Sequence, residues 1–107
     1  MSLPPELHAG ARLFNAGEWW EAHEAWEEPW RAAIGERRAL LSALILLAAA
    51  LHGRWRMGRT GERNYQKALC YVEALPPVLD GLDLRALAAA VGSALHAPEE
   101  TRPQVPV

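Results

Sequence analysis

The sequence predicts an all-α fold: a compact bundle of four to five helices around one central apolar helix at about residues 36–56. Three observations carry this reading. The chain has 107 residues, is 50% hydrophobic and 22% charged, and is dominated by Ala, Leu and Glu, which favour helix. Pro and Gly, eight of each, punctuate it at helical rather than strand intervals. Between Trp19 and Trp30 the apolar residues recur with the 4-3-4 spacing of an amphipathic helix. The length suits one domain, expected over 1–96, with a Pro-rich, flexible tail at 97–107.

Pro4-Pro5 followed by Glu6 reads as a helix start, because proline is tolerated in a first turn and an acidic residue suits it. This helix carries Leu7, Ala11, Leu13 and Phe14 and stops at Asn15-Ala16-Gly17, where glycine can adopt the left-handed conformation. The second runs from about Glu18 to Ala33, with Pro29 expected to kink or shorten it. Gly35 marks the next turn. The third, Glu36 to Arg56, contains the Ala/Leu run. Gly58 and Gly61 bound a basic turn before a fourth helix from about Glu62 to Leu75. Pro76-Pro77 breaks the chain, and Asp83 is placed to cap a last helix from Leu84 to Leu95.

The composition excludes several classes. Cys70 is the single cysteine, so no internal disulfide forms and no zinc-finger spacing exists. A net charge of −2 argues against a general nucleic-acid or membrane-surface binder. Met1–Gly10 lacks the basic start and apolar stretch of a signal peptide. The longest apolar run, Ala39–Leu51, is broken only by Ser42 and is shorter than the roughly 20 residues of a membrane span. A soluble cytoplasmic protein without membrane contact is the expectation.

The second helix holds the most chemistry. Trp19, His23, Trp26 and Trp30 form one stripe, with Ala22 and Ala33 beside it and Glu21, Glu24 and Glu28 on the opposite side. Glu27 lies at the edge of the stripe one turn after His23, with Trp20 at the same border. An imidazole and a carboxylate at this spacing can share a metal ion or work as an acid/base pair tuned by burial. The simpler reading is that His23 hydrogen-bonds Glu27, or a backbone carbonyl, to satisfy a polar group at the edge of the core. Glu24 or His52 would be the further metal ligand. His52 ends the stripe Leu41, Leu44/Ile45, Ala48, His52, Trp55 of the third helix. In an antiparallel pair turning at Ile34–Gly35, however, His23 is level with Ile45, and His52 is level with Ala16–Trp19, roughly 10 Å away at 1.5 Å per residue.

From Arg54 to Lys67 the chain holds Arg54, Arg56, Arg59, Arg63 and Lys67 against the single Glu62, with Trp55 and Tyr65 interleaved. Arginine mixed with aromatics suits phosphate or a single strand. The same cluster can instead neutralise the Glu-rich second helix, within one chain or across a dimer, with little gain per pair.

The string from Phe14 to Arg31, FNAGEWWEAHEAWEEPWR, resembles the helical "domain of unknown function" family numbered 309, whose pattern is close to FNxGxxxEAHExxExxW. Leu44–His52 is similar to that family's LIQxAAAxxH helix, and with Ala68-Leu69 the resemblance covers about residues 7–75. It implies a compact all-helical domain with no established activity. The matching motif positions are Asn15, Gly17, Glu21, His23, Glu24, Glu27, Trp30 and His52. Glutamines associated with the family helix are Ser42 and Leu46 here, which implies a smaller, drier pocket opposite His23.

Three functional expectations follow, with no substrate or cofactor specified and no catalytic residue assigned. The first is a helical interaction or structural module that self-associates, most simply as a two-fold dimer, because Trp20, Trp55 and the Ala/Leu helix are generous in apolar surface for so short a chain. The second is a metal or small-ligand site on His23 and Glu27, with possible hydrolase-like activity. The third is weak phosphate or nucleic-acid binding through Arg54–Lys67.

Overall fold

The computed structural model describes residues 2–107. A 3-10 turn at Pro5–Leu7 leads into α1, His8–Asn15. Then follow α2 (Trp19–Ala32), α3 (Gly35–Arg56), α4 (Glu62–Ala74), a hairpin of β1 (Val78–Leu79) and β2 (Leu82–Asp83), and α5 (Leu84–His96). The helix starts and stops lie within about two residues of those read from the sequence. Gly17, Gly35, Gly58 and Gly61, the four turn glycines, all have positive φ. Asp83 caps α5 as expected, its carboxylate accepting the Ala86 amide at 3.0 Å.

α3 is the central helix, packed on by α2, α4 and α5. Leu40, Leu41, Leu44, Leu47 and Leu51 on it are fully buried, as are the small Ala43, Ala48 and Ala50. Among the described residues α3 is the one helix long and apolar enough to cross a membrane; here its buried Leu and Ala side chains form the centre of the core. Two rungs give the α2–α3 register. Trp30 meets Ser42, its Nε1 donating to the hydroxyl at 3.0 Å, and Trp20 meets His52, their ring centroids 5.2 Å apart. The helices are antiparallel, offset by about one turn from the register expected at the sequence level. Pro29 does not break α2. Beyond the proline the last turn is held by Trp30, bonded to Ser42 and covered by the Arg38 guanidinium 3.9 Å from its ring centroid.

Two regions depart from expectation. Where the sequence shows only a break at Pro76-Pro77, a hairpin forms between α4 and α5. Its signal is Asp80-Gly81, both at positive φ, which suits a two-residue turn between short strands. Arg37 ties the hairpin to the N-terminus, donating to Asp80 at 2.6 Å and to Glu6 at 2.7 Å. The tail at 97–107 contains no helix or strand, yet it is not loose against the bundle. Val105 is 1% exposed and both its backbone groups bond the Asn15 side chain.

Candidate functional site

The chain reverses sharply between α1 and α2. Gly17 makes this possible with φ of +79°, a conformation costly for residues with a Cβ. The turn places the first residues of α2, Trp19 and Trp20, beside the last turn of α3. Trp19 faces inward and is 1% exposed. Trp20, on the neighbouring face, is 46% exposed but not free. Its ring stacks on His23 at 4.6 Å and lies tilted against His52 at 5.2 Å.

Trp20 and His52 line two adjoining hollows. The larger, about 780 Å³, also includes Gly17, Glu18, Glu21, Arg56, Met57, Arg59 and Arg102. The smaller, about 350 Å³, shares Trp20, His52, Met57 and Arg59 and continues to Thr60, Arg63 and Asn64 on the α3–α4 turn and the start of α4. Together they form one cleft, with an apolar patch of Trp20 and Met57, an imidazole, and cations along one rim. Glu18 and Glu21 line the larger hollow as well.

The rim cations divide into engaged and open. Arg56 donates to both oxygens of Glu100, at 2.5 and 3.2 Å, and to the Gly17 carbonyl at 3.1 Å. Its guanidinium also sits 4.8 Å from the centre of the Trp19 ring. The hydrogen bonds to Glu100 raise the Arg56 pKa, and the same bonds hold the Glu100 carboxyl below its ordinary value. Arg54 is taken up by the carbonyls of Leu95 and Ala97 and stacks on Trp55. Among the described residues, Arg59 and Arg63 make no ion pair. Within one chain, the expected pairing of the basic run with the α2 carboxylates is not seen as an ion pair among the described residues: Glu21 acts on Arg56 only through its charge, while the tail's Glu100 and main-chain carbonyls bond Arg56 and Arg54.

His23 and Glu27 are adjacent but not hydrogen-bonded. Nδ1 of His23 lies 3.8 Å from Glu27 Oε1 and is buried without a partner. Glu24 projects into solvent, and His52 is turned to Trp20. No group of three His, Cys, Asp or Glu side chains able to hold a metal occurs among the described residues. His23 and His52 both contact the Trp20 ring. Glu27 itself lines a separate open hollow of about 200 Å³ with Trp30, Ser42, Ile45, Leu46 and Tyr71; His23 does not reach it.

Other motif residues have structural duties. Asn15 holds the tail, Gly17 makes the turn, Trp30 bonds Ser42, and Glu21 is exposed on the cleft rim. Met57, Asn64, Glu100 and Arg102 were not singled out from the sequence. Only Met57, in the turn after the basic helix end, carried a local signal, as an exposed apolar residue among polar ones.

With this geometry in view, comparison with known proteins adds two findings. A family model described as "Domain of unknown function (DUF309)" matches residues 7–63. The crystal structure of a conserved hypothetical protein from Thermus thermophilus is similar, at 46% identity and a TM-score of 0.78, over 87% of this chain and 98% of that one. No curated protein matches.

Proposed function

The chain belongs to the family described as "Domain of unknown function (DUF309)", and from that premise we propose that it is a small helical binding module whose working site is the Trp20–His52 cleft. The ligand class is a small anion attached to a planar ring. One observation carries the reading: an exposed indole, packed against two imidazoles, stands beside two arginines without ion-pair partners. Large exposed apolar side chains in such concave, partly polar surroundings mark ligand sites more often than chance exposure does.

Each part of the cleft has a role. Trp20 offers its face to the ring of the ligand, and Met57 fills the space beside it. Arg59 and Arg63 take the anionic group, and His52 supplies a donor or acceptor according to its tautomer. This keeps the phosphate-binding expectation for Arg54–Lys67 but narrows it to the two arginines not already bonded. A soluble protein of the cytoplasm, where such anions abound, suits this role.

The test is calorimetric titration of the full-length protein with adenosine monophosphate, and separately with inorganic phosphate. Stacking of one base contributes about 1–3 kcal/mol, so Trp20→Ala should weaken the nucleotide by roughly 5- to 150-fold and leave phosphate nearly unchanged. Arg59→Ala with Arg63→Ala should weaken both, and salt should weaken both. Equal nucleotide affinity in wild type and Trp20→Ala, or no binding at millimolar concentration, would sink the reading.

A further inference from the structure

A second site lies where the tail meets the α1–α2 corner; it adjoins the cleft and shares Gly17, Arg56 and Arg102 with it, but its occupant and its test are its own. The amide of Val105 donates to Asn15 Oδ1 at 2.6 Å, and Asn15 Nδ2 donates to the Val105 carbonyl at 2.8 Å. One side-chain amide thus satisfies both backbone groups of one residue, as the edge of a sheet would. Gln104 adds a bond from its Nε2 to the Asn15 carbonyl at 3.2 Å, and the Val105 side chain is 1% exposed. Five residues earlier, Glu100 sits in the fork of Arg56 with Arg102 beside it at 3.2 Å. Gly17 makes room for this arrangement, since a Cβ there would fall 2.7 Å from Arg102 Nε.

The two halves of this contact differ in kind. Asn15, Gly17 and Arg56 belong to the rigid bundle and to the stretch matched by the family model, residues 7–63. The segment they hold has no secondary structure, lies outside that stretch, and is anchored at two points. Backbone pairing plus a pocket for one side chain is a general mode of extended-peptide recognition, and here the pairing runs through a single side-chain amide rather than a continuous ladder.

We propose that the α1–α2 corner is a docking site for an extended peptide carrying a carboxylate five residues before a buried β-branched residue. The chain's own tail is its resident occupant, exchangeable for a partner segment of that chemistry. Arg56 reads the carboxylate, Asn15 pairs with the backbone, and the Val105 pocket selects the apolar residue. Because the tail is tethered, its effective concentration is in the millimolar range; it masks the site until a partner competes or the tail is weakened.

The test uses full-length protein and a fluorescently labelled synthetic peptide with the sequence of residues 97–107, followed by anisotropy. Val105→Asp in the protein loosens the resident tail, and it should bind the peptide at least about tenfold more tightly than wild type does. Glu100→Gln, on the exposed clamp, should produce a smaller gain without risk to the bundle, and melting curves check the fold of both. Adding Asn15→Ala to either variant should abolish the gain, as should placing aspartate at the Val105 position of the peptide. Equal peptide binding by wild type and both folded variants, or a gain that survives Asn15→Ala, overturns the proposal.

Discussion

Gly10 lies in the middle of α1, where helix propensity alone says that alanine would be better by about 1 kcal/mol. The tertiary structure reverses that sign. A Cβ on Gly10 would fall 2.3 Å from Nε1 of Trp26 and 2.5 Å from both Cδ1 and Cε2, whereas heavy atoms in contact rest about 3.5–4.0 Å apart. Either the indole or α1 must therefore retreat by more than about 1 Å. Trp26 is fully buried, so its ring moves only by displacing packed neighbours. Its Nε1 also donates to the Leu7 carbonyl at 3.2 Å, so retreat costs that bond as well. Overpacking at about 1–3 kcal/mol and a broken buried hydrogen bond at about 1 kcal/mol outweigh the propensity gain. The expected net loss for Gly10→Ala is about 2 kcal/mol, or a fall in Tm of roughly 10 °C for a domain of this size. Thermal melting by circular dichroism measures it, with Gly53→Ala as the internal contrast. Gly53 is also within a helix, but its added Cβ would find nothing nearer than 3.9 Å, so that variant should melt a few degrees higher. A Gly10→Ala protein melting at or above wild type would refute the α1–α2 contact as described.

Three further outcomes are expected. Asp83→Ala removes the carboxylate that accepts the Ala86 amide and should cost about 1 kcal/mol, with faster amide exchange confined to the first turn of α5. Tyr65→Phe removes a hydroxyl that donates to the Ala88 carbonyl at 2.9 Å; the melting temperature should fall by about 5 °C, and an unchanged value would show that this bond adds nothing to α4–α5 packing. The Glu100 carboxyl is held below its ordinary 4.5 chiefly by its hydrogen bonds to Arg56. A depressed folded pKa adds stability that is fully present above the unfolded value and is lost as pH falls through the folded one. The tail clamp should therefore weaken below about pH 4.5, seen as loss of the Val105 amide's exchange protection, whereas Glu100→Gln should show no such acid step at the clamp. An identical acid limb in both proteins would contradict this account.

The candidate site was legible only in part. His52 and the arginines of the α3–α4 turn stood out by residue type, and Trp20 was visible as the exposed border of the Trp stripe. That Trp20 contacts both His23 and His52 was not visible, because it depends on the α2–α3 register. A shift of one turn moves His52 from beside Ala16–Trp19 to beside Trp20, and one-dimensional spacing does not resolve a single turn. The pairing of charges was also illegible. Arg56 faces a choice between the α2 glutamates and Glu100, and the choice is made by where the tail lies.

Alone, the sequence determined the helices, their ends and the central place of α3. These follow from local chemistry: glycines that tolerate positive φ at the turns, Asp83 as a cap, and an apolar period of 3.6 residues. Each acts within a few residues along the chain, so each can be read without knowing the fold. Tertiary structure decided that Asn15 and Gly17 serve the tail, that Val105 is buried, that Gly10 exists to admit an indole, and that two arginines remain open beside Trp20. Those outcomes depend on contacts between residues up to 90 positions apart, and packing, not local propensity, determines which of them form.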